Sequence, residues 1–138
     1  YLNRKISKCF LIDGDDVRKT LSKDLDYSIE SRKIQIRRLF SLTEICLLNK
    51  YIPVVSSVFI DRYIVNKCIK KKILVIKVNR ANFETIKLKH KTYKNKRNVV
   101  GIDIFVKNYK TKEIYNPGSK EFCKILTSLI KLIKKKDT

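Results

Sequence analysis

Three carboxylates, Asp13, Asp15 and Asp16, follow directly on the apolar run Cys9–Ile12 (CFLI), with Gly14 set among them. A spaced series of arginines comes next: Arg18, Arg32, Arg37 and Arg38. Carboxylates at the end of a buried strand can hold Mg²⁺ through water, or accept a proton from an attacking hydroxyl. Arginines make bidentate contacts with anionic oxygens, and glycine lets the backbone turn sharply between the acids. These are the groups that phosphoryl transfer to an anionic acceptor requires: a base or metal at the hydroxyl, and cations around the charged oxygens. The same residues also describe an ordinary helix start with i,i+4 ion pairs, each worth about 0.3 kcal/mol. Residue types alone leave the two readings evenly balanced.

The elements around the acids decide where they sit. Cys9–Ile12 reads as a buried strand, and Tyr1–Ser7 before it as the tail of a helix. Asp15–Ser22 reads as a short helix opened by acids. Ser28 is a good N-cap for a helix running to about Asn49. Within it Ile34, Ile36, Leu39, Phe40, Leu42, Ile45 and Leu48 give a rough 3.6-residue period. Ile52–Val58 (IPVVSSV) and Ile73–Val78 (ILVIKV) read as further strands, Asp61–Lys71 and Asn82–Lys89 as helices. A polar stretch with a mobile run at 94–98 follows, then a short strand at Glu113–Tyr115 and an amphipathic helix over Ser119–Lys136. Strands that alternate with helices and are near-continuous apolar runs predict a parallel α/β sheet. Ligands bind beyond the C-terminal strand ends of such sheets, which places Asp13–Asp15, Ser56–Phe59 and Asn79 along one edge.

Composition bounds the rest. The 138 residues suit a single domain, and 43% hydrophobic content is enough for a core. No apolar run approaches the ~18 residues of a membrane span. The net charge is +20, but the lysines are spread along the chain rather than gathered in one stripe. Solvated faces explain this better than nucleic-acid binding, and a cationic surface still favours an anionic substrate. Cys9, Cys46, Cys68 and Cys123 form no C-x-x-C pair, and the lone His90 has no metal-ligand spacing, which argues against zinc. Isolated thiols in apolar stretches fit free, buried cysteines and a reducing cytoplasm.

The stretch LIDGDDVRKTLSKDLDYSIESRKIQIRR resembles, without a gap, the pattern LDGDNVRxGLNxDLGFSxxDRxENIRR of the adenylylsulfate kinase (APS kinase) family. Asn98–Ile104 (NVVGIDI) is similar to that family's late NVVGVDI motif. Ser57-Val58-Phe59, with Asn66-Lys67 further on, is similar to the S-L-F…N-R segment of a kinase-like branch found in surface-polysaccharide loci. The resemblance implies a P-loop kinase-like, three-layer α/β/α fold with a parallel sheet, and a lid at about residues 90–104. It implies Mg²⁺, ATP as co-substrate, and transfer of the ATP γ-phosphoryl to the 3′-hydroxyl of adenylylsulfate in sulfate assimilation. By match to the motif, Asp13 becomes the catalytic base near the metal, holding Mg²⁺ through water. Asp15, Arg18 and Gln35 fall at acceptor-side positions, Arg32 on the phosphosulfate, and Tyr27 on the adenine. Ser57 falls at the serine of an I-S-P segment, and Val99 and Asp103 in the lid. Cytoplasmic location and a homodimer are further implications.

This chain departs from the pattern at Asp26 (Gly in the family), Ser31 (Asp) and Gln35 (Asn), and Val99 stands where a second aromatic is common. Lys87–Tyr93 (KLKHKTY) keeps little of RDxKGLY beyond Tyr93, and Phe105-Val106 stands where the family has Pro-Phe, so the proline is lost. No G-x-x-x-x-G-K-S/T occurs anywhere, so the nucleotide's β- and γ-phosphates lack their backbone cradle. The chain therefore reads as an adenylylsulfate kinase-like domain, residues 1–138, incomplete at the N-terminus and beginning inside the first helix. A natural homologue without the loop is the alternative, and neither is expected to be an efficient kinase alone. Two other functions stay open: a related kinase acting on another nucleotide-linked acceptor in surface-polysaccharide synthesis, and a non-catalytic, basic nucleic-acid-binding domain.

Overall fold

Four strands and six helices follow one another in the computed structural model, which describes residues 8–94, 97–109, 111–118 and 122–134. They run β1 (Cys9–Asp13), α1 (Gly14–Lys19), α2 (Ile29–Leu48), β2 (Ile52–Ser56), α3 (Arg62–Lys70), β3 (Ile76–Arg80), α4 (Phe83–Lys89), α5 (Lys91–Lys94), β4 (Lys112–Asn116) and α6 (Phe122–Lys134). The expected helix over Tyr1–Ser7 lies outside the described residues, as do parts of the 94–98 run and the ends of Ser119–Lys136.

The fold is mixed α/β with parallel strands, consistent with a P-loop kinase-like fold. Its strands form two parallel pairs, not one sheet: β1 with β2, and β3 with β4. The β1–β2 register sets Asp13 opposite Ser56. A two-stranded ladder covers little of itself, and β1 is accordingly less buried than its composition suggests. Ile12 is buried while Phe10 and Leu11 are half exposed. The third strand also starts later than its apolar run: Ile73 and Val75 pack on the core from the loop before β3.

Local chemistry explains the helix boundaries. The Asp13 carboxylate caps α1 and the Ser28 hydroxyl caps α2, accepting from Ser31 N. Asp61 caps α3 by accepting from Ile64 N at 2.9 Å. Along α2 the buried face is Arg32, Gln35, Ile36, Leu39, Phe40 and Thr43, spaced i, i+3, i+4, i+7, i+8 and i+11. The 3.6-residue pattern of isoleucines and leucines is only half right about this face. Ile34, Ile45 and Leu48 point away from the core, and Ile34 and Ile45 line an outer groove with Leu21 and Leu42. The core joins Ile12, Val17, Ile36, Leu39, Phe40, Phe59, Ile64, Cys68 and Ile104. Leu39 at its centre is wholly buried. Truncating such a leucine costs about 2–5 kcal/mol. Cys68 is buried as expected, whereas Cys9 and Cys46 are only half-buried. This core anchors α1 through Val17 and the first half of α2, and so fixes the ground on which the acids and arginines stand.

Candidate functional site

At the end of β1 the chain turns through Gly14 into α1, and Asp13 occupies the turn. Its Oδ1 accepts from the backbone N–H of Asp15 at 2.9 Å and of Asp16 at 3.3 Å. Its Oδ2 accepts from the Ser56 hydroxyl at 2.6 Å, across the β1–β2 register. The Ser56 hydroxyl, followed by the two backbone N–H groups, holds the Asp13 carboxyl below the usual carboxylate range. The carboxylate is thus anionic and oriented by three donors. The serine that faces it is Ser56, not Ser57: the Ser57 hydroxyl donates to the Phe59 carbonyl at 2.9 Å and closes its own turn. Alternation along a strand puts neighbours on opposite faces, so a one-residue register decides which serine reaches the acid.

Arg18 leaves α1 on the side of Tyr27. Its Nη1 donates to the Asp26 carbonyl at 2.6 Å, and its guanidinium carbon lies 4.7 Å from the centroid of the Tyr27 ring. Arg32 approaches the same ring at 5.7 Å from α2. Its Nε donates to the Tyr27 carbonyl at 3.1 Å and its Nη2 to the Asn98 carbonyl at 2.8 Å. Burial, with Arg18 close by, pulls the Arg32 guanidinium below its ordinary value. Asp15, Arg18, Lys19 and Tyr27 line an open cleft of about 360 Å³. Lys19 was not legible as part of this group, because only the helical turn brings it beside Asp15.

The arginine series therefore divides by task. Arg18 and Arg32 flank Tyr27, whereas Arg37 lies 5.5 Å from the Tyr63 ring centroid. Arg38 clamps Asp24 in a bidentate pair at 2.6 and 2.7 Å. That pair serves the 21–24 turn and stands apart from the cleft.

The NVVGIDI segment folds back on itself. Both Asp103 carboxylate oxygens accept backbone N–H bonds, from Asn98 and Val99, each at 2.6 Å. The Val99 N–H, before that of Asn98, holds the Asp103 carboxyl below its usual range. Val99 itself is buried, so its side chain packs inward and presents no face to the cleft. Gln35 is also buried, and its Nε2 donates to the Gly14 carbonyl at 2.9 Å. Asn79 departs from the expected edge. It lies inside β3, where its Nδ2 donates to Glu113 Oε2 at 2.7 Å. The strand-end rule thus collects Asp13, Ser56 and Gly14 but not Asn79.

The adenylylsulfate kinase family model matches residues 1–107. The chain belongs to the adenylylsulfate kinase family. No curated protein matches it. Membership supports a kinase-like phosphotransferase with nucleotide substrates, ATP among them. The matched span holds the whole cleft together with the Asn98–Asp103 turn, while β4 and α6 lie beyond it. Among the described residues no helix is long and apolar enough to cross a membrane.

The family implies Mg²⁺, and the donors here fit one mode of holding it. Among the described residues no group of three or more His, Cys, Asp or Glu side chains could cage a metal. Mg²⁺ keeps most of its waters and commonly takes one or two carboxylates plus substrate phosphates. An ionised Asp13 with its orientation fixed suits that outer contact.

Proposed function

We propose that this chain carries the acceptor side of a kinase that moves the ATP γ-phosphoryl to the 3′-hydroxyl of adenylylsulfate, the step that yields 3′-phosphoadenylylsulfate in sulfate assimilation. The observation that carries this reading is a cleft lined by Asp15, Arg18, Lys19 and the exposed Tyr27 ring, with Arg32 approaching that ring and the anchored Asp13 carboxylate holding the start of the same helix. Asp13 is the anion beside the reacting hydroxyl, where it accepts the hydroxyl's hydrogen bond and holds Mg²⁺ through water. Mg²⁺, when bound, neutralises charge developing on the transferred group. Asp15 and Arg18 contact the acceptor, Tyr27 supplies a stacking face for the adenine, and Arg32 and Lys19 supply positive charge for its anionic end. The Asn98–Asp103 turn is the nearer edge of a lid reaching back to about residue 90. Transfer also needs a phosphate cradle, and the 138 residues contain no G-x-x-x-x-G-K-S/T. We assign that cradle to a segment or partner besides these residues.

Acceptor recognition is testable without the cradle. Titration calorimetry of the chain with adenylylsulfate should show saturable binding that Arg18→Ala and Tyr27→Ala weaken. Absence of binding by the folded chain overturns the reading. Binding of a diphosphate-linked sugar nucleotide in its place moves the chain to the surface-polysaccharide branch, to which Ser57-Val58-Phe59 is similar. In either case the kinase step itself is read by transfer of labelled phosphoryl from Mg-ATP in the cradle-bearing protein, which Asp13→Ala should abolish.

A further inference from the structure

Gln35 stands where the family pattern has an acceptor-side Asn, and its geometry points elsewhere. The side chain is 5% exposed. Its Nε2 donates to the Gly14 carbonyl at 2.9 Å, from the middle of α2 to the first residue of α1. An amide oxygen against that carbonyl would be repulsive, so the nitrogen is the atom that faces it. The Gly14 carbonyl and the Asp15 N–H are the two ends of one planar peptide unit. Gln35 grips the carbonyl end, while Asp13 Oδ1 takes the N–H end at 2.9 Å. A donor on the carbonyl polarises the peptide and strengthens its N–H as a donor. The third side is closed by β2, because a Cβ added at Gly14 would lie 2.9 Å from the Ser56 carbonyl oxygen. The peptide unit is therefore held at both ends, and its Gly14 Cα sits close against the strand that also supplies the Ser56 hydroxyl.

We infer that Gln35 is a positioning residue for Asp13, acting through the Gly14–Asp15 peptide, and not a contact to the acceptor. Side-chain length makes the difference. An Asn here would be one methylene shorter, and Gln35 uses its full length to bring Nε2 to 2.9 Å from the Gly14 carbonyl. The same length has a consequence for the other amide atom. Among the described residues Gln35 Oε1 is buried without a hydrogen-bond partner.

The functional consequence rests on the kinase reading, but the positioning itself does not, and the experiment separates them. In the wild-type chain, a scalar coupling across the hydrogen bond between the Gln35 side-chain nitrogen and the Gly14 carbonyl carbon should be detectable by NMR. Its absence overturns the proposal. In Gln35→Leu and Gln35→Asn, the Asp15 and Asp16 amide signals should move upfield and exchange about tenfold faster, the loss of roughly one hydrogen bond. Thr43→Val serves as control. It removes a buried hydroxyl bond on the same helix, to the Leu39 carbonyl, and should leave both signals in place. Unchanged Asp15 and Asp16 signals in either folded Gln35 variant overturn the proposal. So does weakened adenylylsulfate binding with those signals unmoved, since that outcome makes Gln35 a direct contact. Should the wild type bind no adenylylsulfate at all, the kinase reading fails while the amide result still decides the role of Gln35.

Discussion

Arg32 Nη2 donates to the carbonyl oxygen of Asn98 at 2.8 Å, across 66 positions of chain. Through this bond one guanidinium joins two motif segments, because its Nε also holds the Tyr27 carbonyl. The Asn98 turn it reaches is already closed by Asp103. Arg32 is thus an internal tie as well as a cation beside the cleft. Each such bond from a charged donor contributes about 2 kcal/mol when buried. Arg32→Lys keeps the charge but lacks the planar fork whose separate Nε and Nη2 donors reach the two carbonyls. It should lower the midpoint of thermal unfolding and speed amide exchange at residues 98–104 by about tenfold or more. Wild-type exchange there, in a folded Arg32→Lys chain, would show that the tie is not made.

Ser56, the last residue of β2, and Ser57 just after it provide a test with opposite outcomes. Ser56 donates to Asp13 at 2.6 Å, whereas Ser57 bonds to the Phe59 carbonyl. Ser56→Ala frees one carboxylate oxygen and should lower phosphoryl transfer in the cradle-bearing protein by about tenfold, one charge-assisted hydrogen bond. Ser57→Ala should leave the rate within about twofold and cost only turn stability. Equal losses in the two variants would place the strand register one residue off.

Most of the elements were legible because their signals are local. Ser28 announces the start of α2 by its type and position, and Asp61 that of α3. What stayed hidden depends on pairing and packing between distant segments. Ser56 and Ser57 are indistinguishable until the β1–β2 register is known. Ile34 and Ile45 look like core residues, yet the buried face of α2 is set by what Arg32 and Gln35 reach, and two isoleucines are left outside. In sequence all four arginines read as candidates for anionic oxygens. In the fold Arg38 goes to Asp24 and Arg37 to Tyr63, and only Arg18 and Arg32 remain at Tyr27. Asp26, a departure from the family's Gly, takes a local role that its type allowed: it accepts from the Ser28 backbone and hydroxyl just before α2.

That local role makes the fold sensitive to acid. The Ser28 hydroxyl, then the Ser31 hydroxyl, hold the Asp26 carboxyl down to about 2. Asp13, Asp24 and Asp103 are also lowered, chiefly by the Ser56 hydroxyl, the Arg38 guanidinium and the Val99 N–H respectively. A lowered carboxyl contributes stability above its unfolded pKa and loses it as pH falls through the folded one. For Asp26 that interval runs from 3.8 to about 2. The unfolding midpoint should therefore be insensitive to these groups at neutral pH and drop steeply below about pH 4. Asp26→Asn should lower the midpoint at neutral pH and flatten part of the acid slope. A midpoint in that variant that tracks wild type at every pH would remove Asp26 from the account.

Gly14 provides the sharpest steric test of the cleft. A Cβ there would come within 2.9 Å of the Ser56 carbonyl oxygen, a contact with a backbone atom that no rotamer change relieves. Gly14→Ala must therefore push the start of α1 away from the end of β2. That movement lengthens the Ser56–Asp13 bond and turns the peptide that Gln35 and Asp13 share. Overpacking of this kind costs about 1–3 kcal/mol in stability. Acceptor binding should weaken further than that of Ser57→Ala, while the Arg38–Asp24 clamp, on the 21–24 turn, should stay intact. The measurement is a crystal structure of Gly14→Ala with calorimetry on the same protein. A variant with the Ser56–Asp13 distance and the acceptor affinity of wild type would mean that the strand end yields freely, and the cleft would then not depend on this close approach.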